Sequence, residues 1–273
     1  MKTLLLFLGL LLCAVATAFS QASGLNQREA RPQVVAVFPS ADTLPANLLR
    51  MYVHFSTPMK PLGNLENIQV VDAAGNVVAG ALFNNDYELW NHEQTQLTLL
   101  LDPSRVKTGL QANEARGRAL VMGSCYRLQV GELEDAQGRT TAAFSKSFFV
   151  GPEDRQAPNT DLWVFNAPKA GSRDSLIVRF PEMLDRLSMV QRLQLANENK
   201  QAIPGRVVIT ENETTWCFIP NQDWVPGDYT LYVHGRLEDP AGNNLDGLFD
   251  HPPGTLKNKV EGTITTIPIT IIP

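Results

Sequence analysis

The chain is short of cysteine, of basic residues and of long apolar runs, and each shortage closes off a class of protein. Three cysteines in 273 residues cannot build the dense disulfide framework that holds small secreted domains together. No Cys-x-x-Cys occurs, and none of His54, His92, His234 and His251 lies four residues from another, so no zinc signature is present. Lys and Arg total 23 against 28 Asp and Glu, with no basic cluster. Such a chain is a poor partner for phosphate backbones, and nucleic acid is set aside as a partner. No Gly-x-Ser-x-Gly appears, and no Ser or Cys has neighbours that mark it as a nucleophile. The expectation is a protein that is not an enzyme and uses no cofactor or metal.

The one long apolar run is at the start. Lys2 precedes Leu4 to Leu12, and small residues follow from Ala14 to Ala22. That is the charged, apolar and small-residue order of an export signal, too short for a permanent membrane span. Residues 1–22 are read as that signal, cut after Ser20 or Ala22. Cys13 does not fit lipid attachment, because Leu11 and Leu12 stand where small residues belong. Losing Lys2 leaves 22 basic residues against 28 acidic ones, a net of -6. The mature chain has no transmembrane segment by this reading, and its location is periplasmic, cell-surface or extracellular.

What the remaining sequence does contain is a repeat. Tyr126 to Gly138 (YRLQVGELEDAQG) returns as Tyr229 to Gly242 (YTLYVHGRLEDPAG) with one residue inserted. Upstream, Met51-Tyr-Val-His-Phe55 returns as Leu176-Ile-Val-Arg-Phe180 in the same order. Apolar residues alternate with polar ones in each copy, as in strands with one buried face. Tyr126, Leu128 and Val130 share one side, and Trp216 and Phe218 flank an outward Cys217. Short strands between Gly, Pro, Asn and Asp clusters imply an all-β sandwich. Gly151 to Asn159 is polar and bracketed by Pro152 and Pro158, a semi-stiff linker. The expected division is therefore 32–150, a linker at 151–159, and 160–273. Cys125 and Cys217, one in each copy at non-equivalent places, are expected to stay unpaired.

Val53-His-Phe-Ser-Thr-Pro-Met59 and Leu237-Glu-Asp-Pro-Ala-Gly-Asn-Asn-Leu245 resemble the two signatures of bacterial immunoglobulin-like domains of the S-layer-protein, SbsA-like, type. The likeness implies two tandem immunoglobulin-like Greek-key β-sandwich domains. The second copy departs from it with Phe180-Pro-Glu-Met183, and the first with Arg139 in place of Asn. Each motif has a physical reading as well. Asp135 with Gly138, and Asp239 with Gly242, suit the first and last places of a type I turn. Tyr126 and Tyr229 suit the tyrosine corner, in which a buried Tyr ties a crossing loop to its strand. Calcium at Asp239 to Asn243, with Glu238 beside it, is set aside because the loop lacks alternating acids.

The copies differ most between Pro103 and Tyr126, 23 steps against nine from Pro220 to Tyr229. The surplus carries Arg105, Lys107, Arg116 and Arg118, the candidate binding loop, since long loops on rigid scaffolds commonly bind. The competing reading is a covering loop whose Val106, Leu110 and Leu120 close the sandwich end. The function expected is a non-catalytic structural or interaction module of the cell envelope or extracellular space, with an unidentified protein or glycan partner. The alternative is a carbohydrate-binding or substrate-presenting accessory protein, which requires exposed Trp90 or Trp163 to stack on sugars. The tail from Gly262 to Ile272 is β-branched, and Pro268 confines it to a sheet edge. It either completes the second sandwich or, if Gly247 to Asp250 already does, is left for a partner.

Overall fold

The computed structural model describes residues 31–84, 87–250 and 262–273; the segment 1–22, read above as an export signal, lies outside them. The first part of the chain supplies β1 (Val34–Phe38), β2 (Thr43–Pro45), β3 (Arg50–Phe55), β4 (Ile68–Asp72), β5 (Leu89–Trp90), β6 (Gln96–Leu100), β7 (Cys125–Val130) and β8 (Phe144–Gly151). Two short helices, α1 (Pro103–Val106) and α2 (Gln111–Arg116), lie between β6 and β7. The second part supplies β9 (Val164–Asn166), β10 (Leu176–Arg179), α3 (Arg186–Arg192), β11 (Leu193–Asn197), β12 (Gly205–Thr210), β13 (Thr215–Pro220), β14 (Gly227–His234) and β15 (Ile264–Ile271).

The strands alternate as the residue pattern dictates, and β7 reads exposed and buried in strict turn. Sheet β1-β3-β6-β5 faces sheet β2-β8-β7-β4, and β9-β10-β13-β12 faces β11-β14-β15. Both pairs have the A-B-E-D over C-F-G order of the immunoglobulin fold. In the first pair β2 adds to β8 in parallel. One apolar cluster joins Met51, Val53, Phe55 and Leu99 to Val70, Tyr126, Leu128 and Phe148 across the first pair of sheets. A second joins Leu176, Val178, Trp216 and Phe218 to Leu195, Tyr229, Leu231 and Ile271. Each side chain in these clusters contributes roughly 1.5–3 kcal/mol by leaving water.

The tyrosine corners form in both copies. Tyr126 and Tyr229 are buried; the Tyr126 hydroxyl accepts from the Val121 N–H at 3.1 Å, and the Tyr229 hydroxyl donates to the Val225 carbonyl at 3.0 Å. The Asp-Gly turns form too. Gly138 N–H donates to the Asp135 carbonyl at 2.9 Å and Gly242 N–H to that of Asp239 at 3.0 Å. Gly242 has φ +82°, which favours glycine, and a Cβ there would lie 2.6 Å from Leu49 Cδ2, so the Leu49 tip would have to shift to admit one.

The tail completes the second sandwich. β15 pairs with β14 over its whole length, from Gly227↔Ile271 to His234↔Ile264, and Ile269 and Ile271 are buried. Gly247 makes only an isolated bridge to Asn244, so the stretch before residue 251 is no final strand. Among the described residues no helix is long and apolar enough to cross a membrane.

Candidate functional site

Side chains alternate along β3, so Met51, Val53 and Phe55 enter the first core while Arg50, Tyr52 and His54 point out of it. An outward tyrosine on a free sheet would be wet. Tyr52 is instead only 2% exposed, because loops of the second sandwich lie on this face. Its hydroxyl donates to Asp185 Oδ2 at 2.7 Å. Asp185 is the N-cap of α3 and accepts from Ser188 N–H at 2.8 Å, the arrangement that satisfies an orphan donor of the first turn. Beside it Arg50 Nη2 lies 2.7 Å from Glu238 Oε2. Ser188 Oγ ties the two acids together by accepting from Glu238 N–H at 3.0 Å.

The seam continues on both sides of this pair. Glu213 takes Ser40 N–H at 2.7 Å and Ser40 Oγ at 2.8 Å, and Arg186 lies 4.1 Å above the Phe38 ring. Leu49 N–H donates to the Pro240 carbonyl at 2.9 Å. Asn47 exchanges two bonds with the Asp154 backbone, 2.7 and 2.8 Å, which folds the linker back onto the first sandwich. The hairpin tip that carries Glu213 is strained, with Glu211, Asn212 and Glu213 at φ 53°, 54° and 61°. Left-handed backbone costs about 1–2 kcal/mol per residue, and the anchoring of Glu213 to Ser40 offsets part of it.

Burial pushes the Asp185 and Glu238 carboxyls above the usual carboxylate range, against the pull of Arg50. Burial, with the Asp185 charge, also pushes the Tyr52 phenol up. His54, under Arg186, is lowered by burial first and by that cation second. Tyr52 with Asp185, and Arg50 with Glu238, are contacts between the two sandwiches.

Nearby, one carboxylate oxygen from each of Asp154, Glu182 and Asp239 lies within 4.8 Å of the others. Burial, with the Asp154 charge adding, pushes Glu182 up to about 7 and Asp239 up to about 8. Both oxygens of Asp239 serve its own turn: Oδ1 accepts from Ala241 N–H and Asn243 N–H, and Oδ2 from Asn243 Nδ2. Calcium wants six to eight oxygens, and the turn reading accounts for Asp239 without it. Glu238, weighed as a neighbouring ligand, turns to Arg50 instead.

The four basic residues of the candidate loop are brought to one end of the first sandwich but not to one open surface. Arg105 is 6% exposed and its guanidinium donates to the carbonyls of Ala79, Gly117 and Arg118 at 2.8–3.0 Å. Arg118 pairs with Glu153 and Asp250, and Lys107 lies 4.3 Å over the Phe249 ring. Arg116 is the one of the four on the surface. Val106 and Leu120 are buried and Leu110 is exposed. Arg105 thereby ties the segment to the sandwich end, because a planar cation can satisfy several inward carbonyls at once.

The two tryptophans that the carbohydrate alternative requires to be exposed do not form a platform. Trp163 is buried edge-on to Phe180, ring centres 4.7 Å apart. Trp90 packs on Phe55 and donates from Nε1 to Glu88. Cys125 is exposed, Cys217 partly buried, and both are free thiols.

Sheet order, paired cores and tyrosine corners define an all-β protein of the immunoglobulin-like sandwich class. No protein-family profile matches the chain, and no curated protein matches it by sequence. Solved structures similar to it include CopC from Methylosinus trichosporium OB3b, 17% identical over 46% of this chain and 98% of that one, TM-score 0.31. The N-terminal part of the bacterial S-layer protein SbsC is 12% identical over 95% of this chain, TM-score 0.36. The chain spans 48% of that fragment's length. The chicken CNTN1 fragment FN1-FN3 is 10% identical over 89% of this chain and 69% of its own, TM-score 0.24. The likeness is one of fold and does not single out the SbsA-like kind.

Proposed function

We propose that the chain is an exported, non-catalytic structural module in which two sandwich domains, 32–150 and 160–273, act as one rigid body. Residues 151–159 join them as a strapped connector, and the body presents its outer loops to a protein of the envelope or extracellular space. The observation that carries this is the Tyr52–Asp185 hydrogen bond, 2.7 Å between buried groups 133 residues apart. A merely tethered pair of domains would leave both groups in water. Two buried polar partners instead specify one relative placement, since any slip leaves each unsatisfied. The carbohydrate reading loses its support with the burial of Trp163 and the engagement of Trp90.

Fractionation of cells producing the full chain tests the assignment. The expected product begins at Gln21 or Ser23 and lies in the periplasmic, surface or medium fraction. An uncleaved chain retained inside the cell would overturn it.

A further inference from the structure

The two sandwiches treat one place in the fold differently. In the first, the gap between the turn after β4 and the β6–β7 connection is filled by α1 and α2. Arg105 reaches across it, from its own insert to the Ala79 carbonyl, and Arg116 Nη1 lies beside Gly80. The second sandwich has the same turn, held by the same bonds. Asp72 N–H donates to the Asn76 carbonyl and Asn197 N–H to that of Gln201, both at 3.0 Å; Val78 N–H meets Val70 and Ile203 N–H meets Leu195, both at 2.9 Å. Its β13–β14 connection, however, has no insert, and a cavity of about 600 Å³ remains between turn and connection. That volume suits a recognition pocket.

The lining is chemically one-sided. Glu198 comes from the turn, Asp223 from the connection and Asp228 from the start of β14, and among the described residues no Lys or Arg lines it. Asp223 is taken up by Arg173 at 2.8 Å, and Lys200 of the same turn is exposed outside the lining. Glu198 and Asp228 are left as its acidic wall. Trp224 and Tyr229 form a closed floor, for their polar atoms are committed to the Asp174 and Val225 carbonyls.

We propose that this cavity docks an arginine-bearing segment of a partner protein, which fills in the second sandwich the space that Arg105 and its insert fill in the first. The chain's own insert is the template: cationic, short and seated against the same turn. A second copy cannot donate that insert intact, because Arg105 and Arg118 are already engaged in its own first sandwich. The proposal goes beyond the rigid-body reading and stands or falls apart from it.

The probe is a synthetic peptide copying residues 103–118, titrated into the isotopically labelled protein, beside the same peptide with Gln at its four basic positions. Expected are shift changes at 197–204 and 220–229 with the basic peptide only. Weakening should be roughly fivefold for each acid removed, the scale of an exposed ion pair, in Glu198→Gln and Asp228→Asn. The latter keeps the oxygen that accepts from Thr270 Oγ1, so an unchanged spectrum elsewhere certifies its fold. Equal binding of the neutral peptide, changes that map elsewhere, or no changes at millimolar peptide would overturn the proposal. So would self-association of the protein alone that the same two substitutions abolish, which would assign the site to a second copy.

Discussion

Replacing Tyr52 by Phe removes one oxygen from the seam and leaves the ring in place. That oxygen is the donor to Asp185 Oδ2 at 2.7 Å, in a spot where Tyr52 is 2% and Asp185 4% exposed. Water therefore cannot take over the bond without opening the seam. A buried hydrogen bond to a charged or strongly polar group contributes about 1.5–3 kcal/mol, and the easier burial of Phe moves the expected cost to about 2 kcal/mol. With a urea slope near 2 kcal/mol/M, the midpoint should fall by about 1 M. Asp185→Asn keeps one oxygen where two are used, by the Tyr52 hydroxyl and the Ser188 N–H, and should cost at least as much. Urea unfolding followed by tryptophan emission reads both variants. A midpoint change below about 0.2 M for Tyr52→Phe would mean that the two sandwiches are not coupled through this bond.

The acid cluster predicts a pH dependence. Glu182 is raised from 4.5 to about 7 and Asp239 from 3.8 to about 8, so their stabilising contribution is complete below the unfolded values and is lost as pH rises through 7 to 8. Glu182→Gln should flatten that loss by about 1–2 kcal/mol in unfolding curves at pH 5 and pH 8; an identical pH profile would refute it. Arg105→Met leaves three inward carbonyls unpaired, and the first sandwich should lose about 2–4 kcal/mol. Unchanged thermal unfolding would mean that Arg105 does not tie the loop to the sandwich end. Deleting Gly262 to Pro273 strips β14 of its neighbour and the core of Ile269 and Ile271; nuclear magnetic resonance should show the second sandwich unfolded. A dispersed spectrum with second-core signals intact would contradict the role given to β15.

What could be read along the chain was whatever depends on near neighbours. Alternation at Tyr126, Leu128 and Val130 placed β7, and Asp239 with Gly242 placed the turn, because strand faces and turns are set within a few residues. The duplicated spacing then carried strand order from one copy to the other. The seam was not legible, since Arg50, Tyr52 and His54 sit at outward positions that alternation assigns to water. Whether another sandwich covers them depends on Asp185, Glu213 and Glu238, far along the chain. A trace existed in the copies themselves: Arg50, Tyr52 and His54 correspond to Ser175, Ile177 and Arg179, and the hydroxyl that Tyr52 brings to the seam is missing from Ile177. The same holds for Arg105. Its loop's length was visible, whereas the carbonyls that claim its guanidinium come together only on folding. Asp154, Glu182 and Asp239 likewise come from three separate segments.

Pulsed electron resonance between nitroxide labels on Cys125 and Cys217 measures the central claim directly. The two thiols are free, one in each sandwich, and no other cysteine remains once the signal is removed. A rigid seam predicts a single narrow distance distribution in the native protein that broadens in a Tyr52→Phe, Glu213→Ala double variant. A broad distribution already present in the unmutated protein would contradict the account.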